Sequence, residues 1–497
     1  MALGGYAGKV LRVDLSEEKV VEEELDEAVL RKYLGGVGLG ASILYKEVPP
    51  TLEWSHPDNR LIIAGGPVSG SKLDGTGGIC VVTKGPLTGG PASSQANGFF
   101  AAYLRFCGYD AVIFQGAARR WVYLWIEEGK AELRDASHLL GKDTWETEDL
   151  IKAEMGKKER QASVYSIGPA GENLVRFAAI LGDKGHAAGH NGTGAVMGSK
   201  KLKAVAVARG RRPVKIADPK GFDALAKESF ETRFNDTASG RRYLDWGTST
   251  LCVINYPGGR VPVRNLTTAF FPEVEKFSGP YYRPRWKIKA NPCWACRCHH
   301  CYKVQVGEGP YTGFEGEEGE YEMMAAFGPL IGETDAGAAT MLSNICDRLG
   351  LEGCEAGWTL GMVMELFEKG VLTGKDTDGL EMTWGNTEAV KALMGKIARR
   401  EGFGDILAEG VLRASQRIGK EARNCGIFYG NGNTPRTYDL RAGRWEAILD
   451  DITASTGVKE GDPLHPEEFG LNPGDPFSPK DITNVTAKMK GKGPFRD

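Results

Sequence analysis

The sequence predicts an α+β multidomain protein in which a β-rich N-terminal domain precedes mostly helical domains. Over residues 1–210, apolar and polar side chains alternate in short runs that end at turn residues, which is the pattern of half-buried strands. Beyond this region, apolar residues recur at the 3.6-residue spacing of amphipathic helices, and glycine ends most of these runs. A basic stretch that contains prolines, residues 207–221, separates the two patterns and marks the expected domain boundary.

The strands of the first region are predicted from individual runs. The segments "KVLRVDLSEEKVVEEEL" (9–25) and "WVYLWIEEGKAELRDA" (121–136) each predict a hairpin. The more apolar runs at 60–66 and 110–116 predict buried strands. One amphipathic helix is predicted at 26–36, with its last glycines as a C-cap.

Four strong helix patterns follow in the second region. They occupy residues 337–351, 357–370, 387–402 and 405–419. After about residue 428 the sequence becomes irregular. We therefore expect a β-rich domain over 1–210, a helical domain over 211–425 that holds a cysteine-rich loop, and the incomplete start of a further domain over 426–497.

The composition excludes several classes of protein. The formal net charge is −3 and lysine and arginine are spread along the chain, so nucleic acid is not expected as a partner. The N-terminus has no charged leader before an apolar run, and no stretch reaches the roughly 18–20 apolar residues of a membrane span. A soluble cytoplasmic protein is expected, in which cysteines stay reduced and a cluster of them indicates a metal.

Glycine is in excess. The chain has 68 glycines, about twice the usual share of ~7%, and they form separate short clusters such as "GGVGLG" and "GHNGTG". Because glycine lets the backbone approach a bulky ligand closely, we expect a large cofactor held mainly by main chain. "GGVGLG" (35–40) follows a helix rather than a strand, which argues against a dinucleotide site. The lysines of "NGTGAVMGSKKLKA" (191–204) are expected either to bind a cofactor phosphate or to be solvated.

The loop "NPCWACRCHHC" (291–301) holds four of the ten cysteines. Its C-x-x-C spacing presents two thiolates to one metal centre, and a further cysteine follows at cluster-forming distance. No C-x-x-C occurs elsewhere in the chain to complete a zinc ribbon, so an iron–sulfur cluster is favoured over zinc or bare thiols. His299 and His300 are ligands or solvated neighbours. The isolated cysteines at 80, 107, 252, 346, 354 and 425 are expected to be buried rather than ligating.

Several segments, in order along nearly the whole chain, make the sequence resemble the tungsten-containing aldehyde:ferredoxin oxidoreductase family. They include "GGYAGKVLRVDLS", "TKGPLTGG", "IGPAGENLVRFAAI", "GTGAVMGSKKLKAVAV", "EYE", "DRLGLE" and "IARREGFGDILAEGV". The resemblance implies tungsten or molybdenum bound by two pyranopterins, a 4Fe-4S cluster, and a magnesium ion that bridges the pterin phosphates. It also implies a double-sheet domain as the base of the pterin site, and helical domains that close over it.

The resemblance also implies site residues. The segments "SSQANGFF", "GHAAGHNG" and "DRLGLE" correspond to pterin-contacting stretches, with Asn97, Gly98, Gly185, His186, Ala187, Gly189, His190, Asn191, Gly192, Asp347, Gly350 and Leu351. Cys293, Cys296 and Cys301 take the cluster positions, and Cys298 is the alternative because the third cysteine of the family pattern falls at His300. Two further departures stand out. Histidines 186 and 190 replace expected arginines, and the second Asp-x-x-Gly-Leu-Cys motif is absent, which suggests a truncated or separately encoded tail.

The activity implied is oxidation of aldehydes to carboxylic acids, with electrons passed to ferredoxin or to an iron–sulfur subunit. Glu320 and Glu322 are the candidate general acid and base, Tyr321 is a possible donor, and His190 is an alternative donor. Asp439 and Arg441 either line the pocket or form an ion pair. The segment "GHAAGHNG" also resembles the tungsten subunit of class II benzoyl-CoA reductases, which leaves reduction of an aromatic acyl-CoA as an alternative. A subunit that carries only the cluster is a third possibility, and a homo-oligomer or a larger complex is expected.

Overall fold

The computed structural model describes residues 3–235, 238–298 and 301–442. Its strands are β1 (Lys9–Asp14), β2 (Lys19–Glu24), β3 (Leu61–Ala64), β4 (Ile79–Lys84), β5 (Pro91–Ala96), β6 (Ala111–Gln115), β7 (Val122–Glu127), β8 (Lys130–Asp135), β9 (Ala162–Ser166), β10 (Ile180–Gly182), β11 (His186–Ala188), β12 (Leu202–Ala208), β13 (Lys287–Ala290), β14 (Tyr302–Gln305) and β15 (Glu315–Glu317).

The helices are concentrated in the second half. They are α1 (Glu27–Tyr33), α2 (Gly36–Glu47), α3 (Phe100–Cys107), α4 (Thr144–Glu154), α5 (Pro169–Glu172), α6 (Thr193–Ser199), α7 (Pro219–Phe230), α8 (Ala238–Trp246), α9 (Leu251–Asn255), α10 (Gly279–Tyr282), α11 (Tyr321–Ala326), α12 (Ala336–Leu349), α13 (Gly353–Glu368), α14 (Thr387–Arg399), α15 (Phe403–Leu407), α16 (Val411–Ile418) and α17 (Lys420–Cys425).

The N-terminal half consists of two six-stranded mixed sheets. The strand orders are β2-β1-β6-β3-β4-β5 and β11-β10-β9-β12-β7-β8. Alternate side chains of both sheets, such as Leu11, Val81, Leu124 and Val205, form one buried core together with α3. The predicted α+β class with a double-sheet N-terminal region is thereby confirmed.

The outer faces of the two sheets are covered by helices. Leu39 and Leu44 of α2 pack on Ile62 and Val82 of the first sheet. On the second sheet, Ile151 of α4 packs in a cluster with strands β7, β9 and β12. Each sheet is therefore apolar on both faces, which explains why the runs at 60–66 and 110–116 show little alternation.

Gly35 and Gly36 do not form the C-cap of the first helix that the sequence predicted. Leu34 is the C-cap of α1, and α2 begins at Gly36. A side chain at Gly40 would put its Cβ 2.6 Å from Val82 Cγ2. Glycine at this position therefore allows α2 to pack closely on β4.

Of the three lysines after α6, Lys201 is exposed, and the other two are neither solvated nor arranged around a phosphate site. Lys200 is buried and donates to Pro57 O at 2.9 Å and to Gly116 O at 3.0 Å. Lys203 is buried and donates to Ile167 O at 2.7 Å, and it also contacts Glu172. Their ammonium groups crosslink loops of the N-terminal half.

The helical half has its own apolar core, built largely by α11 to α14. The run at 405–419, predicted as one helix, is two helices, because the chain leaves helical geometry between α15 and α16 at Gly410 (φ +85°). Between the halves lies a three-stranded antiparallel sheet in the order β13-β14-β15. The cysteine loop connects β13 to β14. Among the residues described, no helix is both long and apolar enough to cross a bilayer.

Candidate active site

A cavity of about 530 Å³ lies where the two-sheet half meets the helical half. The two-sheet half lines it with Gln95, Ala96, Asn97, Gly185, His186, Ala187, Gly189 and His190. The helical half lines it with Thr248, Cys301, Glu317, Glu318, Gly319, Glu320, Glu322, Met323, Ser343, Asp347, Leu351, Glu352, Gly353, Cys354 and Arg436. A cavity of this size is typical of a site for an organic cofactor or substrate.

The wall from the two-sheet half is formed by the end of β5 and by β11. The His190 amide donates to Ser94 Oγ at 3.1 Å, which ties the chain after β11 to β5. The Tyr165 hydroxyl donates to Asn97 O. Because these residues are fixed through their main chain, their side chains remain available to face the cavity.

Two glycines of this wall differ in what surrounds them. Gly185 has φ +116°, and a Cβ there would lie 2.0 Å from Glu317 Oε2, so this glycine is required by the protein itself. Gly189 would tolerate a Cβ, whose nearest neighbour would be Glu352 Cγ at 3.6 Å. The main chain at Gly189 therefore borders open cavity, as a close approach to a bound ring would require.

The end of α12 and the start of α13 form part of the opposite wall. Gly350 ends α12 in the left-handed conformation, and the Ala179 amide donates to its carbonyl oxygen at 2.8 Å. The carboxylate of Glu352 caps α13 by accepting from the Cys354 amide at 3.0 Å. This turn presents Asp347 and Leu351 to the cavity.

Two acids of this wall have raised pKa values. Burial raises the pKa of Glu317 to about 8, and nearby Asp347 adds to the shift although His186 opposes it. Burial likewise raises the pKa of Asp347 to about 7. Both groups therefore exchange protons close to neutrality.

Glu320 and Glu322 stand together at the start of α11. Glu320 is exposed toward the cavity, and partial loss of solvation together with the neighbouring Glu322 carboxylate raises its pKa. Arg436 Nη1 lies 3.3 Å from Glu322 Oε1. The pair therefore places the Glu320 carboxyl beside a second carboxyl group that contacts an arginine, an arrangement suited to proton exchange.

A second cluster on the cavity wall joins His190, Glu352 and Cys354. His190 Nδ1 lies 3.2 Å from Glu352 Oε1, and the ligand atoms of all three residues lie within 4.8 Å of one another. The sequence suggested that Cys354 would simply be buried. It is buried, but it also lines the cavity.

The cysteine loop reaches the cavity from the three-stranded sheet. His186, Cys293 and Cys301 bring their ligand atoms within 4.8 Å of one another, and Cys293 Sγ lies 3.6 Å from His186 Nε2. The hydrogen bond from Cys301, together with His186, lowers the pKa of Cys293 to about 3 despite its burial. Such a thiolate is suited to a metal centre.

The other two cysteines of the loop lie outside this group. Cys296 follows Cys293 in a turn in which the Cys296 amide donates to Cys293 O at 3.2 Å, and Cys298 is buried. His299 and His300 lie outside the described residues.

The loop is fixed to both halves of the protein. Asn291 Nδ2 donates to Glu317 Oε1 at 2.7 Å. Trp294 packs edge-on against Phe106 of α3, with ring centroids 5.1 Å apart, and the Arg297 guanidinium pairs with Asp74 at 2.8 Å. These contacts hold the thiols beside His186.

Most of the site residues expected from the sequence meet in this cavity. Those that line it are Asn97, Gly185, His186, Ala187, Gly189, His190, Cys301, Glu320, Glu322, Asp347 and Leu351. Those that do not line it are Gly98, Asn191, Gly192, Cys293, Cys296, Cys298, Tyr321 and Gly350.

Tyr321 and the pair Asp439 and Arg441 lie away from the cavity. Tyr321 is fully buried and its hydroxyl donates to Thr437 O at 3.1 Å, so this hydroxyl is not available to the cavity. Arg441 Nη2 lies 2.6 Å from Asp439 Oδ2, which makes these two residues the ion pair that was one of the two expectations.

Sequence reasoning missed several lining residues, among them Gln95, Glu317, Glu352 and Arg436. Glu352 carries a usable signal, because it is the last residue of "DRLGLE" and directly precedes a helix. Arg436 has no such signal, since it reaches Glu322 from a position more than a hundred residues away.

Comparison with family models identifies two matches that together cover most of the chain. The model of the aldehyde ferredoxin oxidoreductase N-terminal domain matches residues 10–209. The model of domains 2 and 3 of the same proteins matches residues 226–492.

Individual relatives agree with these matches. The chain is 41% identical over 421 residues to the tungsten-containing aldehyde ferredoxin oxidoreductase of Pyrococcus furiosus, with 84% of this chain and 68% of that protein covered. It is 39% identical to the enzyme of the same name from Pyrococcus abyssi, with 83% and 68% covered. The solved active site complex BamBC of benzoyl coenzyme A reductase, in complex with 1,5-dienoyl-CoA, superposes with a TM-score of 0.74 at 29% identity, covering 87% of this chain and 66% of that one. The chain thus spans about two thirds of the length of each.

Proposed function

Because the chain belongs to the aldehyde ferredoxin oxidoreductase family, we propose that it is a tungsten-bis-pyranopterin oxidoreductase that oxidises aldehydes to carboxylic acids and passes the electrons through a 4Fe-4S cluster to ferredoxin. The observation that carries this proposal is the position of His186. Its side chain lines the cavity and also contacts Cys293, so one residue joins a cofactor-sized cavity to a thiolate loop.

The residues present fit the proposed groups. The main chain of Gly185, Ala187 and Gly189 would hold the pterins, whose planar rings need close backbone approach. Asp347 would meet a pterin from the other wall. Cys293, Cys296 and Cys301 would hold the cluster, with Cys298 as the alternative third ligand or as a fourth. The proposal includes molybdenum as the alternative to tungsten. It also includes a magnesium ion bound at the pterin phosphates.

When bound, the tungsten pterin would supply two-electron redox chemistry at the carbonyl carbon, and the cluster would carry the electrons away one at a time. Oxidation of one aldehyde consumes one water and yields a carboxylate, two electrons and three protons. The chain's own task is therefore proton removal. Glu322, which contacts Arg436, would accept a proton, and Glu320 would exchange it with solvent or substrate. His190, hydrogen-bonded to Glu352, would be the alternative donor.

The aldehyde activity is better supported than reduction of an aromatic acyl-CoA ester. The structural resemblance to the benzoyl coenzyme A reductase complex is specific, but identity there is 29% against 41% to the aldehyde enzyme. An electron-transfer subunit with only the cluster would have no use for a cavity lined by acids with raised pKa values. We also propose that the protein works in the cytoplasm of an anaerobe, where thiols stay reduced, and that its domains divide near residues 210 and 425.

The proposal is tested on anaerobically purified protein. Elemental analysis is expected to find tungsten or molybdenum together with iron, and a viologen dye is expected to be reduced when an aldehyde is added. Iron without tungsten, molybdenum or pterin would favour the electron-transfer subunit. Reduced viologen that is consumed by an aromatic acyl-CoA ester, with no aldehyde activity, would favour the ring-reducing alternative.

A further inference from the structure

Basic side chains surround the base of the cysteine loop. Lys287 and Lys289 lie on β13, and all four residues of this strand are exposed. Lys303 lies directly opposite Lys289 on β14. Since β13 leads directly into the loop, the two lysines of that strand are only a few residues from Cys293.

Two arginines of the two-sheet half complete this arrangement. Arg160 is exposed and its guanidinium lies 3.4 Å from Pro292 O. Arg209 is exposed and its guanidinium lies 5.2 Å from the centroid of the Trp294 ring. We call Arg160, Arg209, Lys287, Lys289 and Lys303 the basic rim.

The charge of the basic rim is largely uncompensated. Lys303 pairs with Glu159 at 2.6 Å. Within the described part of the chain, the other four members form no ion pair with a carboxylate. Like charges directly opposite each other on neighbouring strands, as at Lys289 and Lys303, disfavour the strand pair. Stability of this strand pair therefore does not explain why lysine occupies positions 289 and 303.

Protection of a sheet edge explains only part of the basic rim. Strand β13 is an edge strand, and lysines on such strands discourage association with other sheets. Arg160 and Arg209 are not on that edge, and they contact the loop itself. In addition, Ile288 is 40% exposed beside the lysines, which adds an apolar contact of the kind found in protein interfaces.

We propose that the basic rim is the docking surface for an acidic iron–sulfur electron carrier of the ferredoxin kind. This inference rests on the proposed function and adds to it the place where the partner binds. Positive charge around the loop would attract an acidic carrier and orient its redox centre toward the cysteines. Each docking event transfers one electron from the reduced protein to the oxidised carrier, so one aldehyde oxidised requires two docking events.

The test reverses charge on the exposed strand. In the double variant Lys287→Glu/Lys289→Glu, the KM for an acidic ferredoxin is expected to rise about tenfold, and kcat/KM to lose most of its dependence on ionic strength. Reduction of methyl viologen by aldehyde is expected to stay unchanged or to rise, because this dye is a dication. The matched control is Lys375→Glu/Lys420→Glu, which reverses two exposed lysines outside the sheet and the loop and should alter neither assay.

A direct binding measurement separates this inference from the proposed function. Carbodiimide crosslinking of the holoprotein to an acidic ferredoxin is expected to join carrier carboxylates to Lys287, Lys289 or Lys303. If aldehydes are not oxidised but these crosslinks form, the proposed activity is wrong and the docking surface stands. If the double variant keeps its KM for ferredoxin, or if the crosslinks map elsewhere or join two copies of this chain, the docking proposal is overturned while the activity stands.

Discussion

The two walls of the cavity carry different chemistry. The wall from the two-sheet half has no carboxylate among its described residues and presents glycine and alanine main chain with amide and imidazole side chains. The wall from the helical half carries six carboxylates, at Glu317, Glu318, Glu320, Glu322, Asp347 and Glu352. The difference teaches that the two halves bring different groups to the cavity: the two-sheet half contributes mostly main chain, and the helical half contributes the carboxyl groups.

This difference has a physical reason. A main chain with few side chains can lie close against a planar ring, and the sheets behind it keep it rigid. The acids need a poorly hydrated environment to have pKa values near neutrality, and burial at the cavity wall provides it for Glu317 and Asp347. Each wall should therefore respond to substitution in its own way.

The largest effect is expected from a substitution in the cysteine loop, which contacts both halves of the protein. In Cys293→Ser, the thiolate that contacts His186 is lost, so iron and inorganic sulfide should fall sharply and aldehyde oxidation should drop below about 1% of wild type. Iron content and the electron paramagnetic resonance signal of the reduced protein measure this. Cys346→Ser is the control. Cys346 is buried outside the loop, so this variant should keep the wild-type iron content. Full iron content in Cys293→Ser would contradict the assignment of the loop.

The acidic wall should show the next largest effect. Glu320→Gln is expected to lower kcat about 10²- to 10⁴-fold, because the carboxyl that exchanges protons is lost, while the metal and pterin contents stay at the wild-type level. Glu315→Gln, an exposed position on β15 outside the cavity, is the matched control and should leave kcat unchanged. A loss of pterin in Glu320→Gln would mean that Glu320 helps to hold the cofactor instead of exchanging protons.

Local sequence patterns predicted many of the helices and hairpins, but they did not predict which distant segments of the chain contact each other. The hairpins β1–β2 and β7–β8 and the helices α12 to α14 follow from periodicity and turn residues within one segment. The pairing of β1 with β6 joins segments about a hundred residues apart, and no local pattern specifies it. The order of strands in each sheet therefore had to come from the structure.

The site residues likewise divide into those that the sequence could predict and those that depend on distant segments. Glu320 and Glu322 could be named from the resemblance, but Tyr321 between them points into the core, because successive residues at the start of α11 face different sides of the helix. Glu317 lies in the acidic run "EGEEGE", which reads as exposed, yet it is only 8% exposed. Its burial depends on Asn291 and Asn344, each from another element.

Two glycines of the wall from the two-sheet half allow a comparison in which a smaller effect is expected. Gly189→Ala should leave the melting temperature of the cofactor-free protein unchanged and lower the pterin content, because its Cβ clashes with nothing in the protein and enters the cavity. Gly185→Ala should lower the free energy of unfolding by about 1–3 kcal/mol, because φ is +116° and Glu317 occupies the space. Thermal unfolding and pterin fluorescence measure the two effects. Equal loss of stability in both variants would contradict the idea that Gly189 borders the cofactor.

The smallest effect is expected in the pH dependence of stability of the cofactor-free protein. Glu317 and Asp347 have folded-state pKa values raised to about 8 and about 7, so between their unfolded and folded values the folded state binds more protons than the unfolded state. Stability contributed by their protonated forms is therefore present at low pH and lost as pH rises through these values. The melting temperature should fall by a few degrees between about pH 5 and about pH 9.

Substitution identifies the acids responsible for this slope. The double variant Glu317→Gln/Asp347→Asn should flatten it, since neither amide titrates, whereas Glu315→Gln should keep the wild-type slope. Burial opposes but the Cys293 thiolate raises the pKa of His186, which adds to the fall, whereas the lowered pKa of Cys293 has the opposite effect, so these two partners largely offset each other near neutral pH. If the melting temperature of the wild type falls no more steeply with pH than that of the double variant, Glu317 and Asp347 are ionised in the folded protein. The two walls would then differ in charge rather than in their readiness to exchange protons.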